Sequence, residues 1–294
     1  MTRPFVLFVG GPTAAGKTAL SLHLAQRYDA VVLSADAMQV YRGLDIGTAK
    51  ASDAERALVP HEGIDVRDPG EPFHAADAVA LADAILARGD RLIVAGGTHM
   101  YHQAIRRGLV KTPPVDPALR AELEARDDLH ETLQQLDPVL AERLHPNDRV
   151  RLVRGVEVAM TGPMPLSQLQ AEHARSPDRV RSVGLWVDRD DLRERIGQRL
   201  AAMMDQGYLD EVRGLLDAGV DRLCKPMRSL GYRHLADHLL DGIALDEAIR
   251  RTERDTWTLA RKQRNWRKSL GYLAADDAVD LLPASWSDLG EGPR

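Results

Sequence analysis

The stretch VGGPTAAGKTAL, residues Val9–Leu20, sets Gly11, four further residues, and then Gly16, Lys17 and Thr18. That is the spacing of a phosphate loop, and its surroundings agree. The apolar run FVLFVG (5–10) stops at glycines, and KTALSLHLAQRY (17–28) follows with helical spacing, so strand, loop and helix come in the required order. A glycine-rich turn there exposes backbone N–H groups at the positive end of a helix. Lys17 adds a point charge, the Thr18 hydroxyl can sit on Mg²⁺, and Gly11 and Gly16 permit an approach that a side chain would block. These residues predict an anion site and leave open whether it takes a diphosphate or a triphosphate.

Working outward, VVLSAD (31–36) and RLIVAGG (91–97) are two more apolar runs, the second preceded by an alanine-rich helical stretch from His74 to Arg88. Apolar runs alternating with helices predict an α/β fold: a parallel sheet flanked by helices on both faces. From about Pro113 to Pro177 the chain keeps helical spacing and several prolines but offers no convincing strand. RSVGLWVD (181–188) then restores a buried strand, and helices run on to about Leu270. The expected organisation is a phosphate-loop core over 1–112 and 178–272 and an all-helical insertion domain over 113–177. An acidic, loosely held tail is expected over 273–294.

With 294 residues, 44% of them apolar, the chain can bury a full core. It contains no run of about 18 apolar residues, which argues against a membrane span, and its start reads directly into a strand rather than a signal peptide. The single cysteine, Cys224, excludes an intrachain disulfide and a Cys-rich zinc module, and fits a cytoplasmic protein. His99 and His102 lack a third ligand nearby and predict structural or solvent roles rather than a metal site. The net charge is −5, but it is unevenly spread. Arg250 to Lys268 holds eight cations against Glu253 and Asp255, a local excess of six, with Trp257 and Trp266 between them. Such a helix is either a solvated face or a surface for phosphates and splayed bases.

Two parts of an ordinary ATPase or GTPase are missing. The strand RLIVAGG ends in glycines rather than in an Asp that would hold Mg²⁺ through water, and no Asn-Lys-x-Asp is present to read guanine.

The motifs GPTAAGKT (11–18), SADAMQVYRGLDIGTAK (34–50), HEGIDVRDP (61–69), AGGTHMY (95–101), LHPNDRVRLVRGVEV (144–158), MRSLGYR (227–233) and ARKQRNWRK (260–268) together resemble the tRNA dimethylallyltransferases, or tRNA isopentenyltransferases, of bacterial type. The resemblance spans Phe5 to Lys268. It implies transfer of a dimethylallyl group from dimethylallyl diphosphate to the exocyclic amine of the adenine 3′ of the anticodon, with release of diphosphate. It also implies a diphosphate site formed by Gly11, Pro12, Thr13, Ala14, Ala15, Gly16, Lys17 and Thr18, with Arg199 as a second ligand and Mg²⁺ at Thr18. Asp36 is then the base that takes the amine proton, and Thr98 bonds at the target adenine. Asp36, Ala37, Met38, Gln39 and Thr98 would meet the target, and Arg120, Val150, Arg151 and Arg154 of the insertion would contact tRNA. Arg228, Gly231, Tyr232 and Arg233 are further expected contacts, as are Arg261, Lys262, Gln263, Arg264, Trp266 and Lys268. The implied partners are the tRNA anticodon loop and the prenyl diphosphate, with no membrane, for a monomer.

Alternative roles stay open for several of these residues. Asp36 could cap a helix or hold Mg²⁺, Thr98 could serve as an N-cap, Met38 could pack in the core, and Arg199 could form a surface ion pair. Ala37 stands where the family commonly has Ser. Thr256, Trp257 and Thr258 stand where it has Thr-Arg-Gln, so Trp257 either stacks on RNA or packs inward. The competing enzyme class is a phosphate-loop small-molecule kinase in which Asp36 activates a hydroxyl. A non-catalytic RNA-binding protein with a vestigial loop is a third reading.

Overall fold

The computed structural model describes residues 3–280 and 282–289. Six strands form one sheet, β1 (Phe5–Gly10), β2 (Ala30–Ser34), β3 (His61–Glu62), β4 (Arg91–Gly96), β5 (Arg181–Trp186) and β6 (Leu273–Ala274), in the order β3-β2-β4-β1-β5-β6. Every pairing is parallel. Central β1 explains why the apolar runs are continuous rather than alternating. Val6 and Phe8 join one buried cluster, while Phe5, Leu7 and Val9 join another on the opposite face. The helix Lys17–Tyr28 supplies Leu24, Ala25 and Tyr28 to the second cluster. The helices Ala75–Ala87 and His99–Arg107 cover the first with Ala78, Ala82, Ile85, Ala104 and Ile105.

The chain divides into two compact units, one comprising 1–108 with 179–294 and the other 109–178. The helical unit thus starts earlier than the expected 113. Its described residues form helices only, and its own core gathers Leu123, Leu129, Leu133, Leu140, Leu152, Val153 and Val156. Asp137, 1% exposed, is tolerated there because its carboxylate accepts the amides of Leu140 at 3.1 Å and Ser167 at 2.8 Å.

The expected loose tail is corrected for its described part. Leu273 and Ala274 pair with Leu185 and Trp186 as the edge strand β6. Further on, Trp286 sets its ring against Phe5 at 5.2 Å and Tyr28 at 5.7 Å, and the Tyr28 hydroxyl donates to the Pro283 carbonyl at 2.7 Å. An acidic composition hid a short amphipathic clamp whose apolar members, Leu282, Trp286 and Leu289, all reach the core. Residues 281 and 290–294 of the expected tail lie outside the described residues. No described helix is long and apolar enough to cross a membrane.

Candidate active site

All the loops that carry the expected chemistry leave the carboxyl ends of the strands, where parallel α/β sheets bind ligands. The phosphate loop follows β1, Asp36 follows β2, Thr98 follows β4 and Asp188 follows β5. Register brings these ends level, since Gly10 lies opposite Gly96 and Trp186, and Ser34 opposite Ala95.

Two glycines are required by close backbone approach. A Cβ on Gly11 would lie 2.3 Å from the Val187 carbonyl oxygen, and one on Gly96 would lie 2.2 Å from that of Ala35. Gly16 caps the following helix with φ 102°, and Ala14 adopts φ 63°. The Ala14 turn is held from outside by Arg195, whose Nε donates to the Ala14 carbonyl at 2.9 Å.

Lys17 Nζ donates to the Pro12 carbonyl at 2.8 Å, so the ammonium folds back over its own loop. Desolvation first, then the nearby Arg199 guanidinium, push its pKa down to about 8, with the Asp36 carboxylate pulling the other way. Burial also lowers the Arg199 pKa, again opposed by Asp36. No described carboxylate pairs with Arg199 and no hydrogen bond holds its guanidinium. The surface ion pair that was open for this residue is absent. Arg199 is half-buried beside the phosphate loop and has no hydrogen-bonded or ion-paired partner among the described residues, which leaves its guanidinium available to an anion.

Asp36 Oδ1 accepts the Met38 amide at 2.9 Å, which fixes the carboxylate at the mouth of the turn; its second oxygen has no hydrogen-bond partner among the described residues. Thr98 takes the N-cap position of His99–Arg107, yet its hydroxyl makes no capping bond. Instead Thr98 Oγ1 accepts the Ala37 amide at 3.2 Å. Asp36, Arg199 and Gln263 line both a niche of about 90 Å³ against the phosphate loop and an adjoining open cavity of about 660 Å³. The niche also touches Lys17 and Thr18, while the cavity adds Met38, Arg228, Lys262 and an apolar stripe of Ile196, Leu200 and Met203 from the helix Leu192–Asp205. Met38 packs against the core with one side and faces the cavity with the other.

The expected RNA contacts separate into two groups. Arg228, Arg261, Lys262 and Lys268 are exposed and form no ion pair among the described residues. In the helical unit, Val150 is 83% exposed and the Arg151 side chain 73% exposed. The residues that follow also make bonds or close contacts within the protein. Gln39 accepts from Ser34 Oγ at 2.8 Å and donates to the carbonyls of Thr48 at 3.2 Å and Ala49 at 3.3 Å, so its amide latches a loop. Gln263, 5% exposed, accepts the Thr13 amide at 2.9 Å and donates to the Gly97 carbonyl at 3.0 Å. Tyr232 is 1% exposed and donates to Glu211 at 2.6 Å. A Cβ on Gly231 would fall 2.3 Å from the Tyr208 hydroxyl. Arg233 is paired with Asp255, and Arg264 donates to Asp188 at 3.0 Å and to the Arg189 carbonyl at 2.6 Å.

Trp266 is half-buried against His99, 5.5 Å between ring centroids. His99 itself reaches Ser269, and buried His102 bonds Tyr272, consistent with structural histidines. Within the helical unit, Arg120 and Arg154 converge on Glu157, which is fully buried, and Arg154 also donates to the Pro113 carbonyl at 3.1 Å. A carboxylate removed from water needs such partners. The Arg154-to-Glu157 spacing of one helical turn was the readable signal for that pairing.

Sequence reasoning missed Arg195, Glu211 and the bracing role of Gln263. Arg195 had a signal, because it lies one turn before Arg199 on the same helix face. For Gln263 both partners, and for Glu211 the three backbone amides it accepts, lie more than a hundred residues away.

Comparison with known proteins fits this geometry. Residues 39–270 match the model of the IPP transferase family, and residues 5–62 match that of isopentenyl transferase. The chain belongs to the IPP transferase family. It is 46% identical over 276 residues to tRNA dimethylallyltransferase 1 of Syntrophotalea carbinolica, covering 90% of this chain and 88% of that one. The full-length tRNA isopentenylpyrophosphate transferase of Bacillus halodurans is 36% identical with a TM-score of 0.62, covering 91% of this chain and 87% of that one. A eukaryotic dimethylallyltransferase acting on tRNA is 26% identical with a TM-score of 0.77, covering 90% and 70%. For a member of the IPP transferase family, the arrangement to explain is a phosphate loop beside an arginine that is unpaired among the described residues, with glycines rather than an Asp at the end of β4.

Proposed function

We propose that this protein is a tRNA dimethylallyltransferase that uses its phosphate loop to grip a prenyl diphosphate. The observation that carries the reading is the niche shared by Lys17, Asp36 and Arg199, in which Arg199 forms no ion pair or hydrogen bond among the described residues. The loop amides, Lys17 and Arg199 surround the diphosphate, and the apolar stripe Ile196, Leu200 and Met203 borders the adjoining cavity where a prenyl chain can leave water. An adenine of the anticodon loop, taken out of its stack, enters that cavity from the side bearing Arg228 and Lys262.

The exocyclic amine of adenine is a weak nucleophile, its lone pair being delocalised into the ring. As the amine nitrogen forms a bond to C1 of the prenyl group, the C1–O bond breaks and its electron pair leaves with diphosphate. Fixed N–H groups and two cations meet the growing charge. The amine proton passes to the free oxygen of Asp36, whose other oxygen is already held by Met38. Holding acceptor and donor in line contributes on the order of 7 kcal/mol or more. Thr18 is exposed, its hydroxyl has no partner among the described residues, and it lines the same niche, which fits a Mg²⁺ that this hydroxyl would hold together with diphosphate oxygens and water. The ion would neutralise the leaving diphosphate. The kinase reading is disfavoured, because these relatives are named as prenyl-transferring enzymes.

The test is incubation of the protein with labelled dimethylallyl diphosphate and unmodified tRNA. Label should enter the RNA as diphosphate is released. Phosphoryl transfer from ATP with no labelled RNA would instead establish the kinase.

A further inference from the structure

The helix Tyr208–Asp217 contributes no residue to the expected chemistry, yet its first turn touches two separate loops of the cavity wall. Glu211 presents one carboxylate to four donors. Its Oε2 accepts the amides of Asp45 at 2.9 Å and Ile46 at 2.6 Å. Its Oε1 accepts the amide of Gly47 at 3.1 Å and the hydroxyl of Tyr232 at 2.6 Å. Tyr208 fills the gap between the same two loops, its ring meeting that of Tyr232 at 5.1 Å and 76°. Both loops need glycine to let it in. A Cβ on Gly47 would stand 2.1 Å from the Tyr208 ring, and one on Gly231 2.3 Å from its hydroxyl.

Both sides of the clasp face the open cavity, through Gly47 and Thr48 of one loop and, on the other side, through Arg228 of the second loop and Arg233 in the first turn of the helix Tyr232–Asp241 that follows it. Gly47 and Thr48 stand beside Asp36, and Gln39 ties their loop to the end of β2. The unpaired Arg228 belongs to the second loop, four residues before Tyr232. We propose that Glu211 is a positioning residue: through Tyr232 and the 45–47 amides it clasps the two loops together and sets the acceptor side of the cavity, leaving the phosphate loop untouched. The proposal rests on the tRNA-modifying reading of the site. A clasp on the acceptor side predicts that its loss separates the two substrates, because the diphosphate niche is built from other elements.

The experiment compares Tyr232→Phe, Glu211→Gln and the double variant with the parent protein. It measures pyrophosphate binding by titration, tRNA binding at fixed salt, and prenyl transfer at saturating diphosphate. Tyr232→Phe removes a single link and leaves the three amide bonds of Glu211, so it keeps the test alive if Glu211→Gln folds poorly. Both single variants should bind pyrophosphate within about twofold of the parent while kcat/KM for tRNA falls on the order of ten- to hundredfold, since small misplacements near a reacting group are costly. In the Glu211→Gln background Tyr232→Phe should add little, because the two changes break one link. Equal losses for pyrophosphate and tRNA, or folded variants with unchanged kcat/KM for tRNA, would overturn the clasp. Label transfer by the parent protein, run alongside, tests the underlying function separately.

Discussion

Gln263 accepts the backbone N–H of Thr13 at 2.9 Å, across 250 residues of sequence, and so ties the basic C-terminal helix to the phosphate loop. The same amide donates to Gly97 at 3.0 Å, which makes one side chain the joint between the loops after β1 and β4. Gln263→Ala strands both backbone groups in a buried place and should cost about 1–3 kcal/mol of stability in denaturant unfolding. Gln263→Glu should weaken pyrophosphate binding more than Gln263→Ala does, because it sets a negative charge against the loop that holds the diphosphate. Equal pyrophosphate affinity in the two variants would contradict this.

The cations of the C-terminal helix should divide by their partners. Arg261 and Lys262 are exposed and unpaired, so replacing either with Ala should weaken tRNA binding and reduce the salt slope by roughly 0.7–0.9 per lost phosphate contact. Arg264 is committed to Asp188 and Arg189, so Arg264→Ala should leave the slope unchanged. Titrations of each variant with tRNA over a series of salt concentrations distinguish them.

Trp257 lies half-buried against the cluster formed by Leu192, Ile196 and Ala260 rather than along the cavity wall. Trp257→Ala should lower stability by about 2 kcal/mol, less than for a fully enclosed tryptophan, and leave the tRNA affinity of the folded protein unchanged. A loss of affinity that salt does not alter would instead indicate stacking on RNA.

What was legible in the sequence was local. Gly11, Gly16, Lys17 and Thr18 declare a phosphate loop because backbone geometry and helix polarity act within a few residues, and the uniformly apolar strands declare a parallel sheet. Charge was legible only as composition. Arg120 and Arg154 look like RNA contacts until fully buried Glu157 is seen between them, and Arg264 until Asp188 is. Gln39, Gln263 and Tyr232 line the niche or the cavity, and their polar atoms make bonds within the protein that are fixed by tertiary contacts and encoded by no spacing. The described part of the acidic C-terminal stretch was not legible because three apolar anchors, Leu282, Trp286 and Leu289, suffice to hold it.

Lys17 gives the site a pH dependence with two opposite signs. Its ordinary value of 10.5 is depressed to about 8 in the folded protein, chiefly by desolvation. Below about pH 8 folded and unfolded chains both carry the proton. Between 8 and 10.5 only the unfolded chain does, so this group's contribution to stability rises with pH across that window. Diphosphate binding to the free protein runs the other way, because the ammonium charge is lost as pH passes about 8. Pyrophosphate titrations from neutral to alkaline pH should therefore show an affinity loss centred near that value. Lys17→Ala should bind weakly throughout and lack that alkaline limb; its persistence in the variant would assign it to another group.

The central claim is that Asp36 takes the proton of the acceptor amine while the neighbouring cations hold the diphosphate. Single-turnover prenyl transfer by Asp36→Asn, with tRNA and dimethylallyl diphosphate both saturating, tests it most directly, because Asn keeps the size and the bond to Met38 but cannot accept the proton. The account predicts a transfer rate lower by roughly 10²–10⁴-fold with both dissociation constants nearly unchanged. A rate near that of the parent protein would contradict it.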